Sequence, residues 1–280
     1  MKTYKPTTPS RRNMATIDYR KLLTRSATPH KPLTKGSTNA AGRNNRGRIT
    51  VRHQGGGNKK LYRDIDFGYS KQGVPGKLTT IEYDPYRTAF IGLVVFRDGD
   101  KRYMVVPKDL AVGAVLEAGE KVPFTIGNKL PLAKIPVGTF VYNIEIKPQG
   151  GGRLARSAGN FAQVVAQDNG YTSLKMPSTE IRKVLDTCWA TIGTVSNDEY
   201  HLTKWGKAGK SRWKGVRPTV RGSAQNPVDH PYGGGEGAQG RGTRRPKTKW
   251  GKITGGRKTR TPKKYSNPLI VSRRKVGKKR

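Results

Sequence analysis

"LTTIEYDPYRTAFIGLVVFRDGDKRYMVVP", residues 78–107, holds three short runs rich in β-branched and aromatic residues, parted by turn formers. The runs 78–84, 89–96 and 101–107 have strand length, and "RDGDKR" (97–102) between the last two is a hairpin signal. "YRDIDF" (62–67) precedes them as a fourth run. A second set follows: "TFVYNIEI" (139–146), "NFAQVVAQ" (160–167), "YTSLKMP" (171–177), "EIRKVL" (180–185) and "CWATIGTV" (188–195). "DNG" (168–170) marks another tight turn. Strands this short and this evenly spaced predict a mainly β chain of small barrels rather than one α/β sheet. A seam falls near "IGNKLPLAKIPVG" (126–138), where Gly and Pro crowd and the pattern resets. No long amphipathic helical pattern appears.

Outward from this body the composition changes. The 280 residues carry a formal net charge of +38, from 56 Lys and Arg against 18 Asp and Glu. Residues 1–63 hold 16 basic residues and one acid, for +15; residues 64–200 hold 16 basic and 15 acidic, for +1. Residues 201–280 hold 24 basic residues and two acids, for +22. A nearly neutral body thus bears two cationic arms. Like charges at this density repel within a compact body, and nucleic acid is the densest polyanion able to screen them.

The arms are rich in Gly, Pro, Ser, Thr, Asn, Lys and Arg, with little aliphatic periodicity. Alone they bury too little apolar surface to offset the entropy of ordering, so the expectation is disorder in the free protein and order on a partner. A short helix is allowed around "KWGKAGKSRWKG" (204–215), though its glycines oppose a long one. The clusters "AAGRNNRGRITVRHQGGGNKK" (40–60) and "RWKGVRPTVRGSAQNP" (212–227) join Gly to Arg. Gly lets the backbone approach phosphates, while Arg forks onto phosphate and stacks on bases. Candidate RNA contacts are therefore Arg43, Arg46, Arg48, Arg52, His53 and Lys59, then Arg212, Arg217 and Arg221. Trp205, Trp213 and Trp250 are candidate stacking platforms.

Other classes are disfavoured. The one cysteine, Cys188, excludes an internal disulfide and a Cys cluster for zinc, and it reads as a buried strand residue. His30, His53, His201 and His230 show no metal-ligand spacing, so no metal site of the chain's own is expected. The longest apolar run, 89–96, is far too short to cross a bilayer, and no secretory segment opens the sequence.

"NPVDHPYGGGEG" (226–237) admits three readings. Asp229 could orient His230 as a general base, yet neighbours in an extended segment point apart and no nucleophile lies in the motif. A phosphate cradle would need the P-loop spacing and a preceding strand, both missing. An RNA-embedded loop uses every part. Asn226 and the prolines set direction, Gly233, Gly234 and Gly235 allow close approach, Asp229 accepts hydrogen bonds or holds an ion, and His230 donates to phosphate or ribose.

Five ordered stretches, 42–67 ("GRNNRGRITVRHQGGGNKKLYRDIDF"), 81–94 ("IEYDPYRTAFIGLV"), 151–166 ("GGRLARSAGNFAQVVA"), 206–222 ("GKAGKSRWKGVRPTVRG") and 226–237, together resemble the bacterial-type large-ribosomal-subunit protein two family, universal family two. The likeness runs over nearly the whole chain. It implies an OB-like barrel over 62–129 followed by an SH3-like barrel over 130–200. Basic extensions with little regular structure flank them at 1–61 and 201–280. It implies a non-enzymatic constituent that binds large-subunit ribosomal RNA and supports subunit association, tRNA binding and the peptidyl transferase region. It adds Arg87, Arg156 and Arg63 to the RNA contacts and gives His230 at most a supporting part in an RNA-catalysed reaction. The family's second histidine is Tyr232 here, so a role needing that imidazole is in doubt.

The implied partners are ribosomal RNA, other ribosomal proteins and the small subunit, with no membrane and no homo-oligomer. The implied location is a bacterial cytoplasmic ribosome, a pattern shared with organelles. No cofactor of its own is implied beyond structural magnesium shared with RNA. A sequence-indifferent nucleic-acid architectural protein is the alternative, and it predicts equal binding to duplex DNA and structured RNA.

Overall fold

The structure, a computed structural model, describes residues 1–237, 240–256 and 259–274. Residues 238–239, 257–258 and 275–280 of the basic C-terminal extension lie outside the described residues. Short paired segments open the chain. Strands β1 (Lys2–Thr3) and β2 (Ala15–Thr16) pair antiparallel, as do β3 (Thr34–Gly36) and β4 (Leu61–Arg63). Between β1 and β2 lies α1 (Pro9–Arg12), where the Thr8 side chain accepts from the Arg11 N–H and Pro9 fits the first turn. A second single turn, α2 (Tyr19–Leu22), follows.

The first sheet is built from β5 (Gly76–Glu82), β6 (Ile91–Phe96), β7 (Lys101–Val105) and β8 (Val115–Leu116), in the antiparallel order β7-β6-β5-β8. Its hairpin turns through Arg97–Asp100, with Gly99 at φ +84° and Phe96 N donating to Asp100 O at 2.9 Å. That left-handed residue is where Gly avoids the Cβ clash.

The second part holds β9 (Lys129–Pro131), β10 (Phe140–Tyr142), β11 (Ile144–Glu145), β12 (Gly152–Leu154), β13 (Ala162–Asp168), β14 (Tyr171–Lys175), β15 (Ile181–Leu185) and β16 (Trp189–Ile192). With β17 (Ile270–Ser272) they give a seven-stranded antiparallel sheet of order β17-β15-β14-β13-β10-β16-β9 and a β11–β12 pair. Asn169 and Gly170 both take positive φ (50° and 75°), the two-residue hairpin that matches strand twist. The architecture is mainly β with curled sheets, consistent with an OB-like and an SH3-like barrel.

Two apolar clusters fill the parts separately, one around Leu78, Val94 and Met104 and the other around Ile135, Val141 and Leu174. A third joins them, packing Ile91, Tyr103 and Val105 with Tyr142 and Val195. Cys188 belongs to the second cluster, and burial pushes its thiol pKa up to about 11. Lys129 in β9 and Glu145 in β11 form a buried ion pair at 2.7 Å. The Lys129 ammonium also donates to Gly68 O at 2.8 Å, so one side chain links residues of both parts.

By contacts the chain divides into two units. One comprises Met1–Thr38, Lys59–Lys207 and Pro268–Arg280, and the other Asn39–Asn58 and Ala208–Asn267. In the first, the N-terminal extension packs on the sheets: Ile17 is buried and His30 N donates to Tyr103 Oη at 2.8 Å. The C-terminal extension returns through β17, which borders β15. Neither contact was expected of arms with little regular structure. Each rests on a few isolated apolar and backbone groups rather than a periodic pattern. Among the described residues no helix is long and apolar enough to cross a membrane.

Candidate nucleic-acid interface

In the second unit the two Gly/Arg clusters meet. Residues 53–58 run antiparallel to 213–218: Gly55 N donates to Gly215 O at 2.9 Å, Asn58 N to Trp213 O at 2.9 Å, and Arg217 N to His53 O at 3.0 Å. His53 Nδ1 lies 3.1 Å from Pro218 O. The approach depends on glycine, because a Cβ on Gly57 would stand 2.9 Å from the Gly215 backbone. Helix α3 (Ala208–Trp213) enters this pairing with a single turn and a half, as its glycine content allows.

Flanking loops display the charges. Asn44 Oδ1 accepts from Arg46 N and Arg48 N, each at 3.0 Å, an Asx-type fold that leaves Arg43, Arg46 and Arg48 exposed. Arg52 is exposed with its guanidinium 5.6 Å from the Trp250 ring centroid, a cation–π distance. Arg212 is half-buried beside Gly56, while Trp213, Arg217 and Arg221 are exposed.

The loop at 222–234 is closed on itself. Asp229 N and His230 N both donate to Asn226 O, at 3.0 and 3.2 Å, and Gly234 N donates to Gln225 O at 3.0 Å. A Cβ on Gly222 would stand 2.5 Å from the His230 ring, and one on Gly233 would stand 2.2 Å from Asn226 O. His230 Nδ1 accepts from Tyr232 N at 3.1 Å. That nitrogen is thus already engaged within the loop, and among the described residues no hydrogen bond joins it to the Asp229 carboxylate. The geometry does not form a carboxylate–imidazole base. Tyr232 lies against His230, ring centroids 4.8 Å apart, and its hydroxyl accepts from Lys247 N.

Four candidates lie in the first unit. Arg87 and Arg156 share the Phe67 ring, with guanidinium carbons 5.3 and 4.3 Å from its centroid. Arg87 also pairs with the wholly buried Asp84, which anchors it from below. Lys59 is exposed. Arg63 is buried at 8% exposure and donates to Leu61 O at 2.8 Å, so its charge is set into the body rather than displayed.

Comparison with protein families now bears on this surface. Residues 30–118 match the RNA binding N-terminal domain of Ribosomal Proteins L2. Residues 125–251 match the C-terminal domain of the same proteins. The chain belongs to the ribosomal protein L2 family. Membership makes this chain a structural, RNA-binding component of the large ribosomal subunit.

The two matches contain all sixteen candidate residues. The chain gathers twelve of them in the second unit, all but Lys59, Arg63, Arg87 and Arg156. Three further positions, one in the first unit and two in the second, are not among the candidates. Phe67 reads as an ordinary strand aromatic, and Gly222 and Lys247 are unremarkable until the fold brings them to His230 and Tyr232. Among the described residues no group of three His, Cys, Asp or Glu side chains stands together for a metal ion. A magnesium ion at Asp229 would thus need most of its oxygen ligands from RNA.

Proposed function

We propose that this chain braces folded large-subunit ribosomal RNA through residues 39–58 and 208–267, and thereby supports subunit association, tRNA binding and the peptidyl transferase region. The antiparallel pairing of 53–58 with 213–218 carries the reading, because it draws two remote cationic clusters into one body. That body holds 20 Lys and Arg against Asp229 and Glu236, a surface suited to phosphate-dense RNA. Val228, at the head of the 226–237 loop, is 98% exposed, an apolar side chain awaiting cover.

In this reading peptide-bond chemistry stays with the RNA, and His230 serves architecture, since its Nδ1 is spent inside the loop. The sixteen candidate residues are the contacts, Arg63 acting through the body that holds it. Neighbouring ribosomal proteins and the small subunit complete the surroundings. The chain acts as a single copy in a bacterial-type cytoplasmic ribosome, and magnesium is shared with the RNA rather than bound alone.

Crosslinking in assembled large subunits tests this reading. Crosslinks to ribosomal RNA are expected at 43–53 and 212–230 and sparse on the body strands. Absence of the protein from gradient-purified large subunits would overturn it.

A further inference from the structure

One cavity of the first unit starts from Arg156 and extends beyond the candidates just described. It has a volume of about 440 Å³ and lies in the second barrel, lined from residues 153–160 and 176–182. Three of its lining residues are arginines: Arg153 on β12, Arg182 on β15, and Arg156. Among the described residues none of the three forms an ion pair with a carboxylate. Arg182 Nε is buried and without a hydrogen-bond partner. An unmatched donor of this kind is uncommon in folded proteins, where most buried polar groups are paired.

The other lining groups fit an anion as well. Ser157, Ser178 and Asn160 bring neutral donors to the same cavity, and Glu180 is its one carboxylate. Arg156 is fixed over Phe67 at 4.3 Å, so its fork is oriented before any ligand arrives. Burial, then the charges of Arg87 and Arg153, hold the Arg156 pKa below the ordinary guanidinium value. Like charges held together in this way are relieved by a tetrahedral oxyanion, which accepts forked hydrogen bonds from several guanidinium groups.

We propose that Arg153, Arg156 and Arg182 form a pocket for a single phosphate of an RNA backbone. Arg153 and Arg182 are new to the interface, and the pocket carries the contact onto the second barrel. It rests on the RNA-binding reading and narrows it to one phosphate held by three guanidiniums.

The test is equilibrium binding of the full chain to deproteinised large-subunit ribosomal RNA over a range of KCl concentrations. Each neutralised phosphate adds roughly 0.7–0.9 to the log–log salt slope. Three arginines on one phosphate predict that Arg153→Gln/Arg156→Gln/Arg182→Gln lowers the slope by about 1 in total. An unchanged slope overturns the pocket. A fall of about 2.1–2.7, the sum for three separate phosphates, overturns it too.

Circular dichroism identifies any variant that fails to fold. Arg153→Gln/Arg156→Gln then repeats the test without altering β15: because Arg182 still faces the phosphate, weaker binding with a slope that falls by no more than about 1 supports the pocket, and unchanged binding or a fall of about 1.4–1.8 overturns it. Failure of the unaltered protein to bind the RNA would instead sink the broader reading, and the pocket with it.

Discussion

Lys129 Nζ sits 2.7 Å from Glu145 Oε1, and the two side chains are 1% and 3% exposed. Glu145 Oε2 accepts from Trp189 N at 3.3 Å, and Lys129 reaches across to Gly68 O. Burial lowers the Lys129 pKa, and Glu145 opposes that shift by stabilising the ammonium. Removing one charge leaves the other buried and uncompensated. Lys129→Met should destabilise the protein by about 3–5 kcal/mol, read from chemical denaturation. Lys129→Met/Glu145→Leu should recover most of the loss, because a buried pair replaced by apolar groups is often neutral.

Acid should loosen the tip of the first hairpin before it opens the core. Hydrogen bonds from Lys71, then Arg102, hold the Asp100 pKa at about 2 against an ordinary 3.8. A carboxylate depressed in the folded state contributes stability above its unfolded pKa and loses it as the pH falls through the folded one. The contribution is complete above the ordinary value of 3.8 and disappears as the pH drops through about 2. Carbon-13 titration of the Asp100 carboxyl should give that low midpoint, and Lys71→Met should move it upward.

Gly57→Ala should open the pairing of the two clusters. The added methyl meets the Gly215 backbone at 2.9 Å, where no flexible side chain can give way. Overpacking of this kind costs roughly 1–3 kcal/mol, so amide exchange at Gly55, Asn58 and Arg217 should quicken roughly tenfold or more. Gly209→Ala is the control. Nothing lies within 4 Å of its new methyl, and exchange at the pairing should not change.

Tyr232→Phe should free the segment that follows the loop. The Tyr232 hydroxyl accepts from Lys247 N and donates to Arg245 O at 3.4 Å, so both backbone groups lose a partner. Exchange of the Lys247 amide should accelerate several-fold, while the His230–Tyr232 ring contact persists in the imidazole NMR shifts. An unchanged Lys247 amide would show that the hydroxyl does not staple this segment.

The sheets were legible because their information is local. The runs 78–84, 89–96 and 101–107 became β5, β6 and β7 with their ends moved by a few residues, and "DNG" formed its turn. The run 62–67 forms β4 only up to Arg63; Ile65 then makes a single parallel bridge to Tyr103, and the Asp66 carboxylate ends the run by accepting from the Gly68 and Tyr69 amides at 2.8 Å. Strands of two or three residues such as β8 and β12 leave too few residues for alternation to register.

The interface was legible as chemistry but not as shape. Arg43, Arg212 and His230 announced themselves by type and spacing. The joining of 53–58 to 213–218 is written in backbone groups and absent side chains, which carry no periodicity. Arg63 has the residue type of an RNA contact and an enclosed side chain, and only the fold reveals the enclosure.

His53 and its acceptor Pro218 stand 165 residues apart in the chain. Synthesis at roughly 5–20 residues per second keeps the first cluster waiting roughly 8–30 s for its mate to be made. For that interval the segment lacks the strand that gives it its shape. The timing of elongation thus sets how long a newborn molecule carries one half of this pairing alone.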